Sequence, residues 1–219
     1  MDEWASVREA RVRLADLLAT LTPDQWERPS LCGGWKVRDV VAHLIHGAEL
    51  KMSPGMIVDL AKNGFNFDKM NAGAARRRGA GRTPEQLLAE FRAGIPSRAS
   101  VPGLGPSGYL TDIVAHSYDI GRPLGLPPVA TPEADLRIVA DRAKNLGFPV
   151  GAKKRIAGLR LRASDVDWAT GEGPEVSGPL EALIMALLGR KVALEDLTGE
   201  GKATLAHRFY AQSAPLPHP

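Results

Sequence analysis

The sequence has little cysteine and no long apolar run, and each shortage excludes a class of protein. Cys32 is the single cysteine among 219 residues, so a secreted domain held by internal disulfides is excluded. No apolar stretch approaches the roughly 20 residues that a membrane-spanning helix needs. The opening residues Met1-Asp2-Glu3-Trp4 lack the pattern of a signal peptide. We therefore expect a cytoplasmic protein with no membrane partner.

The chain also has only a small excess of one sign of charge. Lys and Arg number 28 against 25 Asp and Glu, which gives a formal net charge of +3. The two basic runs, Arg76–Arg78 and Lys153–Arg155, contain no interleaved aromatic residues, which a single-strand nucleic-acid platform would need. We interpret both runs as solvated segments and expect no nucleic-acid partner. The ordinary globular composition argues against a disordered chain, and we expect a monomer or homodimer.

Helical periodicity dominates the first two thirds of the chain. Apolar spacing and Thr-Pro caps predict helices over about residues 3–20, 37–62, 83 onwards, 108–120 and 131–146, with a short turn at 22–26 and a surface crossover at 63–82. Partial alternation over 155–168 and a turn-rich stretch at 170–178 predict two short strands in a hairpin-like unit, followed by a helix at 179–188. The sequence thus predicts a mainly α fold, with a four-helix bundle over residues 1–150 and a small α/β unit over residues 151–219.

Two short patterns could hold a metal ion. The spacing of Asp112 and His116 puts both side chains on one face of a helix, one turn apart, and a carboxylate with an imidazole is a common ligand pair for zinc, nickel or iron. The alternative is a surface ion pair. His43 lies in the middle of a predicted helix among apolar neighbours, where a histidine can equally be a buried structural residue. His46, three residues further on, competes with His43 for any ligand role.

Three longer stretches resemble the signatures of a known family. They are WERPSLCGGWKVRDVVAHLIHGAEL (residues 26–50), YLTDIVAHSYDIGRPLGLPP (109–128) and DWATGEGPEVSGPLEALIMALLGR (167–190). All three resemble the mycothiol-dependent maleylpyruvate isomerase family of DinB-like metalloproteins. The resemblance implies a DinB-like four-helix bundle followed by a shortened sterol-carrier-like domain.

The same resemblance implies a ligand set and a cofactor. His43, Asp112 and His116 match the family's metal ligands, whereas His46 matches none. The implied cofactors are a divalent transition metal, zinc in first place and nickel in second, and the small thiol mycothiol. The family's pattern has Glu at the carboxylate position, so the shorter Asp112 leaves the substrate open. Arg190 corresponds to a C-terminal arginine that helps the site, and its alternative role is to cap a helix.

Two residues beside the second helix have alternative interpretations. Cys32 precedes that helix, where its thiol could be activated, but we favour a packed turn residue. Trp35 is interpreted as a core anchor rather than a platform for substrate.

Two more candidate residues follow His116 in the sequence. Asp119 and Arg122 could pair with each other at the helix end or orient His116. Both alternatives stay open.

These features predict a metal- and mycothiol-dependent enzyme, of isomerase or S-transferase type, that acts on a small electrophile such as maleylpyruvate. One rival is a DinB-like protein that binds metal without turnover, in a stress response. A second is a nucleic-acid partner of the Arg76–Arg78 run, which a steep salt dependence would reveal.

Overall fold

The computed structural model describes residues 2–49, 67–100, 104–147 and 150–213. The chain folds into two compact units, Met1–Thr131 and Pro132–Pro219. Helices and their connecting loops make up the described part of the first unit, whereas the second combines helices with a three-stranded sheet. The predicted mainly α fold class is therefore confirmed. None of the described helices is both long and apolar enough to cross a bilayer.

Four helices of the first unit close a bundle. The described helices of this unit are α1 (Glu3–Ala19), α2 (Pro23–Trp26), α3 (Val37–Glu49), α4 (Phe67–Ala80), α5 (Pro84–Ala93) and α6 (Gly105–Gly121). Both α1 and α3 pack against α5 and against α6, so these four form a ring around an apolar interior. The fifth long helix, α4, packs on α3.

Capping residues fix two of the predicted helix starts. The side chains of Thr22 and Thr83 each accept a hydrogen bond from the backbone N–H of a glutamine three residues on. The side-chain oxygen of that glutamine in turn accepts from the backbone N–H of the threonine. Both predicted starts are confirmed, as is the first helix. The predicted extension of α3 towards residue 62, with its break near 53–55, lies outside the described residues.

The prediction of a surface crossover before residue 82 is wrong where the structure describes it, because α4 occupies that stretch. Its sequence has no apolar periodicity, so its helical state depends on tertiary contacts. Arg78 contacts Glu49 of α3 at 2.6 Å and Glu90 of α5 at 2.7 Å. Gly79 lets α4 approach α3, since a Cβ there would come within 2.9 Å of Asp39 Oδ1.

The second unit places a small sheet against helices. Its elements are α7 (Glu133–Ala143), α8 (Ala152–Ile156), β1 (Arg160–Ala163), β2 (Ala169–Thr170), β3 (Glu175–Gly178), α9 (Leu180–Leu187), a 3-10 segment (Lys191–Asp196) and α10 (Lys202–Ser213). Strand β1 is central, antiparallel to β2 and parallel to β3. It turns Leu161 and Ala163 into the core, and both β1 and α7 pack on α9.

Two details of this unit differ from the sequence predictions. The predicted hairpin corresponds to β1 and β2, but β3 lies in the stretch predicted as turns. Its four residues pair in parallel with β1, and three successive ones, Val176 to Gly178, are buried, so the strand has no alternating pattern that the sequence could reveal. The units divide after Thr131, whereas the predicted boundary was residue 150, because α7 packs on α9 of the second unit.

Candidate metal centre

Two adjacent bundle helices bring the three predicted ligands together. His43 lies in the middle of α3, and Asp112 and His116 lie one turn apart on α6. One donor atom from each residue lies within 4.8 Å of the other two. The i,i+4 pair and the distant histidine therefore share one place in the fold, as the sequence analysis expected. Their role as ligands stays a prediction.

The distances between the donor atoms fit a shared metal ion. His43 Nε2 lies 3.6 Å from Asp112 Oδ2, and His116 Nε2 lies 3.4 Å from Asp112 Oδ1. Both separations exceed the roughly 2.7–2.9 Å of a good charge-assisted hydrogen bond. Ligands bonded to zinc at about 2.1 Å in a tetrahedron lie about 3.4 Å apart. The two distances run to different oxygens of Asp112 and lie within ion-pair range, and the set of two imidazoles and one carboxylate also suits a zinc-type ion.

Burial makes the charges of the three side chains interdependent. The side chains of His43 and His116 are 16% and 12% exposed, against 36% for Asp112. Burial raises the pKa of Asp112, but the nearby imidazoles of His116 and His43 outweigh it, so that pKa falls well below its usual range. Burial lowers the pKa of His116, but the Asp112 carboxylate outweighs it and raises that pKa well above 6.5. The Asp112 carboxylate is therefore ionised and can bind a cation.

Asp119 orients the imidazole of His116. Its carboxylate is fully buried, and Oδ2 lies 2.9 Å from His116 Nδ1. Because a carboxylate only accepts, Nδ1 carries a hydrogen whether the ring is protonated or neutral, so when the ring gives up a proton to bind a metal it is Nε2, facing Asp112, that becomes the free donor atom. The contact that orients His116, one of the two alternatives left open by the sequence, is therefore present. Arg122 lies over the ring of Tyr118, with 5.9 Å to the ring centroid.

Cys32 meets the same carboxylate from the loop before α3. Its Sγ donates to Asp119 Oδ2 at 3.2 Å and lies 3.6 Å from His116 Nδ1. Cys32, His116 and Asp119 form a second group of possible donors, but this group uses the opposite edge of the His116 ring. Cys32 is therefore not part of the group formed by His43 and Asp112. Sequence reasoning missed this contact because no pattern links the loop to the end of α6.

The ring of His43 has different neighbours. The Trp35 ring centroid lies 5.4 Å away at an interplanar angle of 57°, and the His116 ring lies 5.0 Å away edge-on. His43 Nδ1 is buried and has no hydrogen-bond partner within the described part of the chain. Ring packing, rather than a carboxylate, therefore orients this histidine.

The remaining candidates lie elsewhere. His46 joins neither donor group of the described residues, and burial together with the charges of His43 and Arg78 lowers its pKa. His207 lies in α10 of the second unit, and His218 falls outside the described residues. Arg190 follows α9, where its Nη1 donates to the Leu188 carbonyl at 2.9 Å, as a helix cap would. Its catalytic role stays a prediction.

The N-terminal helical segment is similar to a known protein family. Residues 7–108 match the family model described as the mycothiol maleylpyruvate isomerase N-terminal domain. This N-terminal segment is therefore similar to that family's N-terminal domain. The resemblance inferred from the sequence is thus confirmed, on a segment that includes His43 and ends just before Asp112 and His116. No curated protein matches the sequence significantly.

Two solved structures share the fold. A crystal structure of the mycothiol-dependent maleylpyruvate isomerase is 15% identical, with a TM-score of 0.61 over 92% of each chain. A histidine-to-alanine mutant of that isomerase is 14% identical, with the same TM-score and coverage. At this level of identity the likeness shows the fold, and the DinB-like fold class is confirmed.

Proposed function

We propose that this chain is a metal- and mycothiol-dependent enzyme that isomerises a small electrophile or transfers the thiol to it. The observation that carries the proposal is the convergence of His43, Asp112 and His116 at distances that suit one metal ion. The family of the N-terminal segment supports a small thiol as the second component.

Three protein ligands would leave a coordination position for a small molecule, which is typical of catalytic rather than structural zinc sites. Asp112 is the most exposed of the three side chains, so a small molecule would approach from its side. A bound divalent ion would lower the pKa of a thiol enough to give the thiolate at neutral pH. Zinc suits a set of two imidazoles and one carboxylate, and nickel is the alternative.

The protein's own groups would hold this centre in one state. Asp112 supplies one negative charge, so a divalent ion would leave the site with one positive charge, which would favour the thiolate over the neutral thiol and give a neutral site once the thiolate is bound. Asp119 keeps the His116 hydrogen on Nδ1 and the ring in a fixed orientation. We propose maleylpyruvate as one candidate substrate and other reactive electrophiles as the alternative, in a cytoplasmic protein that is a monomer or homodimer.

Cobalt substitution tests the thiol step directly. Adding mycothiol or a close analogue to the cobalt-loaded protein should produce a sulfur-to-metal charge-transfer band. Cys32→Ser protein is the control for the chain's own thiol and should give the same band. Absence of any spectral change at roughly millimolar thiol would contradict the thiol role and favour a metal-binding stress-response protein without turnover.

An activity assay tests the reaction. Maleylpyruvate, and separately a panel of small electrophiles, should be converted only when both metal and thiol are present. Conversion that persists after metal removal would contradict the proposal. Asp112→Glu restores the carboxylate of the family's pattern, so a gain of maleylpyruvate isomerisation in this variant would link ligand length to substrate choice.

A further inference from the structure

One short loop touches both histidines of the candidate metal centre. The loop, residues 30–35, connects α2 to α3. Through Cys32 it reaches the Asp119 carboxylate that orients His116, and through Trp35 it reaches the His43 ring. The Asp119 contact falls on His116 Nδ1, on the opposite edge of the ring from the Nε2 that faces Asp112.

The loop is closed on itself, so Cys32 and Trp35 have a fixed relation to each other. Ser30 Oγ accepts from the Cys32 N–H at 3.1 Å and donates to the Trp35 carbonyl at 2.9 Å. The Ser30 N–H also donates to the Trp35 carbonyl, and the Trp35 N–H donates to the Cys32 carbonyl, each at 2.9 Å. Gly34, at a φ of +74°, allows the turn inside this small ring.

The loop is also attached to the end of α6. The Leu31 N–H donates to the Asp119 carbonyl at 3.0 Å, next to the Cys32 contact with the same residue's carboxylate. Asp119 is therefore held through both its backbone and its side chain, and it passes that restraint to His116. On the other side Trp35 packs on His43, whose Nδ1 has no acceptor among the described residues.

We propose that residues 30–35 are the positioning element of the metal centre: Cys32 acts through Asp119 on His116, and Trp35 acts on His43. This inference rests on the proposed function, and it assigns two positioning residues that bind neither metal nor substrate. It also gives Cys32 a role as a hydrogen-bond donor rather than as a nucleophile.

The test compares metal affinities within one loop. Cys32→Ala removes the donor and Cys32→Ser keeps one. Trp35→Leu removes the aromatic ring and Trp35→Phe keeps one. Gly33→Ala is the matched control, because an added Cβ there meets nothing within 4 Å. We expect Cys32→Ala and Trp35→Leu to lose affinity for zinc by about threefold to tenfold, below the 10–100-fold typical of groups that bond the ligand directly. The Ser, Phe and Gly33 variants should stay near the parent.

Two readouts separate positioning from a general structural effect. The ligand-field bands of cobalt at saturation should shift in Cys32→Ala and Trp35→Leu, while the metal-free proteins unfold at the parent's temperature. In an Asp119→Ala background, Cys32→Ala should cause no further loss of zinc affinity, whereas Trp35→Leu should still cause its full loss. If Cys32→Ala destabilises the fold, the cobalt spectrum of Cys32→Ser and the comparison of Trp35→Leu with Trp35→Phe still test the positioning role of residues 30–35.

The outcomes are distinct. Equal affinities and unchanged cobalt bands in Cys32→Ala and Trp35→Leu would overturn the positioning role while leaving the proposed function intact. A full Cys32→Ala effect in the absence of the Asp119 side chain would overturn the route through that carboxylate. A parent protein that binds no metal would instead overturn the proposed function, and the positioning role with it.

Discussion

His116 and His43 offer the same kind of donor atom, but the protein holds their rings by different means. The His116 ring meets a fully buried carboxylate at 2.9 Å, and that carboxylate accepts from Cys32 as well. The His43 ring packs beside Trp35 and edge-on against His116, with no hydrogen-bond partner for Nδ1 among the described residues. A hydrogen bond to a carboxylate fixes tautomer and direction, whereas ring packing fixes position alone. We therefore expect His116 to be the stronger anchor of the metal.

The largest effect should come from removing either ring. His43→Ala and His116→Ala should each abolish metal binding, because two remaining ligands hold a divalent ion poorly. His116→Ala should also destabilise the metal-free protein by about 1–3 kcal/mol more, since the buried Asp119 loses its imidazole partner. Metal titration and thermal unfolding of the two variants side by side measure both. Equal stabilities would mean that the Asp119 contact contributes little to His116.

The carboxylate between the two rings should come next. Asp112→Asn keeps the shape and removes the charge, so zinc affinity should fall by at least the roughly 10–100-fold typical of groups that support a ligand, because Asp112 would itself be a ligand. At saturating metal, Asp112→Asn should also lower the pH at which thiol binds, because a more cationic site stabilises the thiolate more strongly. Asp112→Glu should retain the metal. Parent-like metal and thiol binding in Asp112→Asn would reduce Asp112 to a surface partner of His116 and refute the three-ligand centre.

A smaller effect should separate the two sides of the site. Asp119→Asn leaves an amide that can still accept from His116 but carries no charge, and zinc affinity should fall by about tenfold, the lower end for such partners. The Cys32→Ser variant, which leaves both histidine environments in place, is the reference. An affinity equal to the reference would mean that the negative charge of Asp119 adds nothing to the hydrogen bond that holds His116.

The smallest effect should come from the neighbouring histidine on α3. His46 lies one turn beyond His43 but belongs to neither donor group of the described residues. His46→Ala should therefore bind the metal as the parent does, in the same titration. A loss of affinity comparable to that of His43→Ala would mean that the ligand from α3 has been assigned to the wrong residue.

The sequence predicted the parts of the site that depend on local spacing. Asp112 and His116 share a helix face because they are four residues apart, and the family resemblance added His43. What the sequence left undecided depends on contacts between distant segments. The sequence left open whether Asp119 contacts His116, and the packing of the bundle brings the two side chains together. Cys32 reaches Asp119 across 87 positions, for which no periodicity exists.

The fold shows the same division. Helices with capping boxes or apolar stripes were predicted well, as at Thr22 and Thr83. Helix α4 was missed because its stability comes from Arg78 and its two glutamates on other helices, a tertiary effect that overrides weak local propensity. Strand β3 was missed for a related reason, since its partner β1 is not its neighbour in the chain.

Metal content is the most direct test of the three-ligand centre. Protein produced without chelator or nickel resin, loaded with zinc and dialysed, should retain about one transition-metal ion per chain, because the triad offers a single set of three ligands. His43→Ala protein treated identically should retain almost none. No retained metal in the parent, or equal occupancy in His43→Ala, would contradict the assignment of His43, Asp112 and His116 as a metal site.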